Sequence, residues 1–193
     1  MESKPIRLAA RPLTEARWPD LERLFGEKGA CGGCWCMWWR LTAAEYTARK
    51  GAKNRLAFKK LVAKGPPPGL IAYAGKTPVG WVAIAPRASL PRLDRSRTLA
   101  RVDDQPVWSV SCFFVTREWR RHGVTIFLLE AATRFAARHG ARIVEGYPVE
   151  TRTEAPGPFV WTGLPGAFEE AGFTEVARRS KTRPIMRRST RPA

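Results

Sequence analysis

The sequence predicts a single α/β domain with a mixed β-sheet and helices on both faces. Three observations carry that prediction. Strand-like and helix-like segments follow in the order β-α-α-β-β-β-α-β-α-β. The most strand-like run, Val107 to Thr116, leads through a short basic loop straight into the most helix-like run, Val124 to His139. The chain has 193 residues, 44% hydrophobic and 26% charged, which is globular and large enough to bury a core without a disulfide or metal scaffold.

The elements can be justified in order. Ile6 to Leu13 predicts a first strand. Thr14 is placed as a helix N-cap, with the helix running toward Phe25 and Pro19 moving its true start to near Trp18. Gly26 to Gly33 reads as a loop. Thr42-Ala43-Ala44-Glu45 is a capping box that opens a helix reaching Ala63 with a break at Gly51, and Gly65-Pro66-Pro67-Pro68-Gly69 ends it. Leu70 to Ala74 and Val79 to Pro86 flank the turn Gly75 to Pro78 as a β-meander. Arg87 to Pro106 reads as a polar connection. In Val124 to His139, Val124, Leu128, Ala131 and Phe135 share one face, and Gly140 stops the helix. Ala141 to Tyr147 is a strand, Pro165 to Ala171 a short helix closed by Gly172, and one or two strands follow Phe173.

Lysine plus arginine number 34 against 17 acidic residues, a net charge of +17. That balance excludes a protein for cationic partners and favours anionic ligands: phosphates, nucleotides, nucleic acid or anionic surfaces. Two stretches, 40–64 and 174–193, hold much of the charge. No nucleic-acid-binding motif accompanies them. Four cysteines are no disulfide framework, and neither a signal peptide nor an apolar run of membrane-spanning length is present, so a cytoplasmic setting is expected.

The chemistry-bearing stretch is Val115-Thr116-Arg117-Glu118-Trp119-Arg120-Arg121-His122-Gly123-Val124-Thr125. Gly123 lets backbone approach a ligand, and the first amides of the following helix have no internal partners. Free N–H groups, helix dipole and three arginines together favour a phosphate. An ordinary strand-to-helix turn with solvated arginines has the same residues.

Arg120-x-x-Gly123-x-Thr125 resembles the R/Q-x-x-G-x-G/A acetyl-CoA signature of GNAT-type N-acetyltransferases, departing at Thr125, where Gly or Ala is usual. Phe168-Glu169-Glu170-Ala171-Gly172-Phe173 is similar to that family's late Y-x-x-x-G-F segment, and Pro78 to Ile84 to its third strand. The resemblance implies a mostly antiparallel GNAT-like sheet over residues 1–188, with 189–193 as a basic tail. It implies acetyl-CoA in a V-shaped opening between the strands Val107 to Thr116 and Ala141 to Tyr147. Phe113 and Val115 would pair with the pantetheine arm, and Arg120, Arg121, His122, Gly123, Val124 and Thr125 would cradle the pyrophosphate. The acetyl group would pass by direct attack to a small-molecule or macromolecular amine, and a homodimer stays open.

The late tyrosine that in this family protonates the thiolate is here Phe168, which has no proton to give. Glu145, then Glu150, are the candidate bases, and Tyr147 the candidate acid. Strand alternation puts Glu145 and Tyr147 on one face. A solvated glutamate and a core tyrosine are the plain alternatives.

Cys31-Gly32-Gly33-Cys34-Trp35-Cys36-Met37-Trp38-Trp39-Arg40 falls where the resembled fold covers the acceptor. Trp35, Trp38, Trp39 and Arg40 are therefore candidate acceptor-binding residues, with a core plug as the alternative. The thiols, with Cys112 as a fourth, allow a metal or redox site. Structural zinc sites use two separated pairs, so no metal is expected. Two competing classes remain: a basic nucleic-acid-binding protein or RNA-associated acetyltransferase on this scaffold, and a cysteine-cluster sensor.

Overall fold

A computed structural model describes residues 7–151 and 160–191. Its elements in chain order are β1 (Leu8–Pro12), α1 (Trp18–Phe25), α2 (Ala43–Arg49), α3 (Ala52–Lys64), β2 (Gly69–Ala74), β3 (Thr77–Pro86), α4 (Pro91–Asp94), β4 (Trp108–Val115), α5 (Val124–Arg138), β5 (Ile143–Gly146), α6 (Pro165–Glu170), β6 (Thr174–Arg178) and β7 (Pro184–Ser189). The seven strands form one sheet in the order β1-β2-β3-β4-β5-β7-β6. The β4–β5 pair is parallel and every other pair is antiparallel. The α/β class, the mostly antiparallel sheet and the helices on both faces are as the sequence predicts. Among the described residues no helix is long and apolar enough to cross a membrane.

Local chemistry explains the boundaries. Thr42 caps α2 with the expected box: its hydroxyl accepts from the Glu45 amide, and the Glu45 carboxylate accepts from the Thr42 amide at 2.9 Å. Thr14 makes no capping bond, and α1 begins at Trp18 with Pro19 in its first turn. Thr77 pairs with Ala74, so the hairpin turn tightens to Gly75-Lys76. The first strand is shorter than expected, and Ile6 lies outside the described residues. At the other end Ser189 pairs with Ile143, so the sheet takes in one residue assigned to the tail, and just past it the Thr190 amide donates to the Arg142 carbonyl.

Alternation along the strands builds two cores. Leu70, Ala72, Val82, Ile84 and Val110 pack under Val124, Leu128 and Phe135 of α5. Ile71, Tyr73, Trp81 and Ala83 point to the other face and meet Trp18, Leu21 and Phe25 of α1 and Phe58 and Val62 of α3. Helix α3 buries only the stripe Asn54, Phe58, Val62 and leaves its lysines exposed, as a solvated basic helix should. The predicted polar connection 87–106 is different in kind. It buries Leu90, Leu93 and Leu99 against Trp39, Tyr147 and Ile185, because these leucines close the sheet where α5 and α1 do not reach.

Strand β4 carries an irregularity that positions everything functional. Its partner register jumps from Ala83↔Cys112 to Ile84↔Val110, leaving Ser111 as the extra residue of a β-bulge. Val110 and Phe113 therefore both face α5, while Cys112 and Phe114 face the other core. Pairing with β5 covers only Trp108 to Val110 and stops at the bulge. Beyond it the two parallel strands separate.

Gly80 allows α5 to sit close on β3. A Cβ there would lie 2.9 Å from Val124 Cγ1 and 3.2 Å from Leu128 Cδ1. Replacing Gly80 with alanine should push the first turn of α5 outward and lower stability by about 1–3 kcal/mol in urea unfolding. An unchanged midpoint would mean that the helix is not tightly seated.

Candidate active site

A cavity of about 420 Å³ opens where β4 and β5 part. One end is lined by Phe113, Phe114 and Val115 of β4, Arg120, and Thr125 in the first turn of α5. The other is lined by Cys31, Cys34, Cys36, Trp38, Trp39, Tyr46 and Cys112, with Val160, Trp161, Gly163 and Leu164 along one side. Of the predicted residues, Phe113, Val115, Arg120 and Thr125 share this space with Trp38 and Trp39, while Arg121, His122, Gly123 and Val124 lie off its lining; its volume is of the size that holds small ligands.

The end predicted to take the cofactor is backbone-rich. Arg121 and Gly123 are both left-handed, at φ 62° and 69°. Gly123 precedes a 15-residue helix with no acidic residue in its first turn and no side-chain cap, so its leading amides are left for a ligand. A Cβ on Gly123 would meet nothing within 4 Å, which marks open space above the turn. The Arg120 guanidinium crosses the end of β4 and donates to the Val115 carbonyl at 3.3 Å. His122 Nδ1 lies 2.7 Å from the Arg120 carbonyl. The Val124 side chain is buried on Gly80, which leaves only its amide at the turn.

Phe113 departs from expectation. Its N–H donates to the Trp161 carbonyl at 2.6 Å, so a chain segment already occupies the position assigned to the pantetheine arm. The Thr116 amide bonds back to Val79 on β3. Alternation then points the Val115 amide into the opening.

The end predicted to take the acceptor is an aromatic and sulfur surface. Residues 29–36 wind through left-handed backbone at Ala30, Trp35 and Cys36 as well as at three glycines. The loop is pinned at Gly33, whose carbonyl accepts from the Gly51 amide at 3.0 Å and from Asn54 Nδ2 at 3.2 Å. Trp81 Nε1 donates to Cys36 Sγ at 3.1 Å, and Cys36 Sγ lies 3.8 Å from Cys112 Sγ. Burial, with Cys36 beside it, pushes the Cys34 thiol up to about 11. The bond to Cys36 and burial push Cys112 well above the thiol range. Among the described residues no group of three or more His, Cys, Asp or Glu is arranged to hold a metal.

Trp39 donates to the Ser111 carbonyl at 3.0 Å and lies 5.7 Å from Trp161, ring to ring. Trp38 meets Tyr46 edge-on at 5.0 Å. Trp35 does not join them. It is buried against Trp18 and Phe25 in the core, because its left-handed backbone turns it under the loop. Arg40 also lies off the cavity lining, and burial lowers its pKa. Arg92, Tyr46 and Trp161 have no signal in a single sequence beyond being polar or aromatic. Arg92 stacks 3.5 Å above the Trp38 ring.

The three residues predicted for proton transfer lie outside this cavity. Glu145 is 1% exposed and both its oxygens are spent. Oε1 accepts from Arg87 at 3.0 Å and from the Tyr147 hydroxyl at 2.6 Å, and Oε2 accepts from Arg187 at 2.7 Å. Arg87 also donates to the Tyr147 oxygen at 2.7 Å, and Ser109 completes that oxygen's shell. Arg87 and Arg187 continue to Asp94 and Asp103. Burial, then the Glu145 charge, raises Tyr147 far above the usual tyrosine range. Glu145 and Tyr147 do share a face, as alternation predicts, but that face is an ionic clamp at the closed end of the β4–β5 pair. Glu150 is half exposed and paired with Arg178.

The chain matches the family model described as Acetyltransferase (GNAT) family over residues 35–154. No curated protein matches it in sequence. Among solved structures it is similar to a GNAT-family acetyltransferase from Listeria monocytogenes, with TM-score 0.61, 7% identity and 98% of each chain covered. It is also similar to the aminoglycoside N-acetyltransferase AAC(6')-Iy in complex with CoA, with TM-score 0.58, 16% identity, and 93% of this chain and 96% of that one covered. The third is yncA from Salmonella typhimurium with its cofactor acetyl-CoA, with TM-score 0.54, 12% identity, and 96% and 95% covered. At such identities the likeness is one of fold.

Two outcomes are expected. Arg87→Met leaves Glu145 one buried partner short; Arg187 still holds the other oxygen, so the loss in urea unfolding should be about 3 kcal/mol. Alkylation of Cys34, read by mass spectrometry, should rise about tenfold per unit from about pH 7 to about pH 9, because the thiolate fraction grows throughout that range. A plateau near neutrality would show an activated thiol instead.

Proposed function

Because the chain belongs to the GNAT acetyltransferase family, we propose that it transfers the acetyl group of acetyl-CoA to a primary amine by direct attack. The observation that carries this reading is the single cavity joining the first turn of α5 to the aromatic loop. The residues fit the cofactor's chemistry. Arg120, Arg121, His122, Gly123 and the amides of Val124 and Thr125 would hold the pyrophosphate, and the Thr125 hydroxyl replaces a small residue with a further donor. The Val115 amide would take the pantetheine contact. Phe113 is assigned instead to holding Trp161 in place.

Bound acetyl-CoA supplies an activated thioester. The chain's own residues exclude water and orient the amine. Glu145, Tyr147 and Arg87 act as positioning residues that keep β4 and β5 paired below the bulge. The Tyr46 hydroxyl on the cavity wall, its pKa raised by burial, keeps its proton near neutrality and would serve as a donor, while the Cys112 thiol is held protonated by its bond to Cys36 and by burial. Four free cysteines suit a reducing, cytoplasmic setting.

The test is calorimetric titration with acetyl-CoA beside thermal unfolding. At about 100 times its dissociation constant, acetyl-CoA should add roughly 2.7 kcal/mol of stability. Gly123→Val, which puts a β-branched residue in left-handed backbone, should abolish the gain while leaving a cooperative transition. If ATP and tripolyphosphate stabilise equally, and moderate salt removes all three effects, the cavity is not a cofactor site.

A further inference from the structure

We infer that the acceptor is an aromatic amine that is neutral at physiological pH, held between Trp38, Trp39, Tyr46 and Trp161. This rests on the acetyltransferase reading above and adds the substrate class. It follows from what the acceptor end of the cavity offers and what it lacks.

The lining contains no Asp, Glu, His or Lys among the described residues, and its charged member, Arg120, stands at the cofactor end. The lining groups that titrate are Cys31, Cys34, Cys36, Cys112, Tyr46 and Arg120. None is a carboxylate or an imidazole that could take a proton from an ammonium ion. Among the described residues two acids of neighbouring elements are committed elsewhere. Glu45 closes the capping box of α2, and Glu145 is saturated by two arginines and a tyrosine.

A protonated alkylamine entering here would lose its water without gaining a counter-charge, which costs several kcal/mol. At Trp38 cation–π attraction is already taken up: Arg92 stacks on it at 3.5 Å, so a second cation would meet a guanidinium across the same ring. An alkylamine, titrating like lysine, is neutral in only about one molecule in a few thousand at pH 7. An aromatic amine, whose conjugate acid titrates well below neutrality, enters uncharged. Its ring fits against Trp39 and Trp161, whose rings are tilted 38° to each other.

The chemistry balances without a protein base. The amine nitrogen bonds to the acetyl carbon, the carbon–sulfur bond breaks, and the proton lost by nitrogen ends on the departing sulfur. The products are the N-acetyl arylamine and CoA as its thiol.

Three measurements on the intact protein test this. Calorimetry with acetyl-CoA comes first. Release of CoA is then followed with p-toluidine, phenethylamine, n-hexylamine and spermidine. p-Toluidine should show kcat/KM at least tenfold above each alkylamine at pH 7, with a profile flat from about pH 6 to about pH 9, whereas an alkylamine's rate climbs tenfold per unit as it loses its proton. Without acetyl-CoA, p-toluidine should quench tryptophan fluorescence saturably, weakly in Trp38→Ala and again in Trp38→Phe. Spermidine, n-hexylamine or phenethylamine matching p-toluidine at pH 7 overturns the inference. So does a protein that binds acetyl-CoA but neither quenches with nor acetylates p-toluidine. A protein that binds no acetyl-CoA overturns the acetyltransferase reading itself.

Discussion

One extra residue in one strand organises this molecule. Ser111 interrupts the β4 register, and three consequences share that origin. Hydrogen bonding to β5 ends at Val110, so the parallel strands part. Cys112 turns toward the cysteine loop while Phe113 turns toward α5. The Ser111 carbonyl becomes the acceptor for Trp39 Nε1, which fixes one wall of the cavity. Bulges recur beside active sites because they both stop a ladder and re-aim side chains. Here a single bulge does both.

Charge and apolar surface are segregated about that point. On the paired side of the bulge lie Glu145, Arg87, Arg187, Tyr147 and Ser109, joined by short bonds and almost free of solvent. A buried network of this kind is costly to break and contributes little net stability over an apolar substitute. Its value here is geometric: it ties the β3–α4 connection, β4, β5 and β7 together immediately below the cleft. On the open side the walls are tryptophan, phenylalanine and thiol. Among the described residues the cavity lining holds no carboxylate or imidazole.

Much of the fold was legible in the sequence because it depends on local chemistry. The Thr42–Glu45 box, the Gly-Pro run after α3, and the α5 apolar face each identify themselves within a few residues. The candidate cofactor turn stands out for the same reason: Arg120, Gly123 and Thr125 lie within one loop and one helical turn. Trp38, Trp39 and Cys112 were also reached, although their meeting depends on a bulge that a single strand sequence does not reveal. Glu145 and Tyr147 show where such reading stops. Their shared face was correct, but what occupies that face is Arg87, from a segment that reads as polar connection, and Arg187, from the last strand. Long-range ion pairing has no periodicity to detect. Trp35 went astray for a different reason. Left-handed backbone at a non-glycine residue is rarely adopted, and it sends the side chain into the core.

The ionic pairing also shapes how the protein behaves at a distance. Glu22, Asp94, Asp103, Glu145, Glu150 and Glu175 each form ion pairs with arginines. These acids neutralise their neighbours locally, and the lysines of α3 stand in solvent with little opposing them. The far field therefore comes from an unbalanced cationic surface. It reaches about a Debye length, roughly 8 Å at physiological ionic strength. Polyanions of any kind are drawn to such a surface faster than diffusion alone delivers them. Capture rates will consequently depend on ionic strength more strongly than the chemistry at the apolar end of the cleft does, separating how quickly the protein finds a phosphorylated ligand from how selectively it uses one.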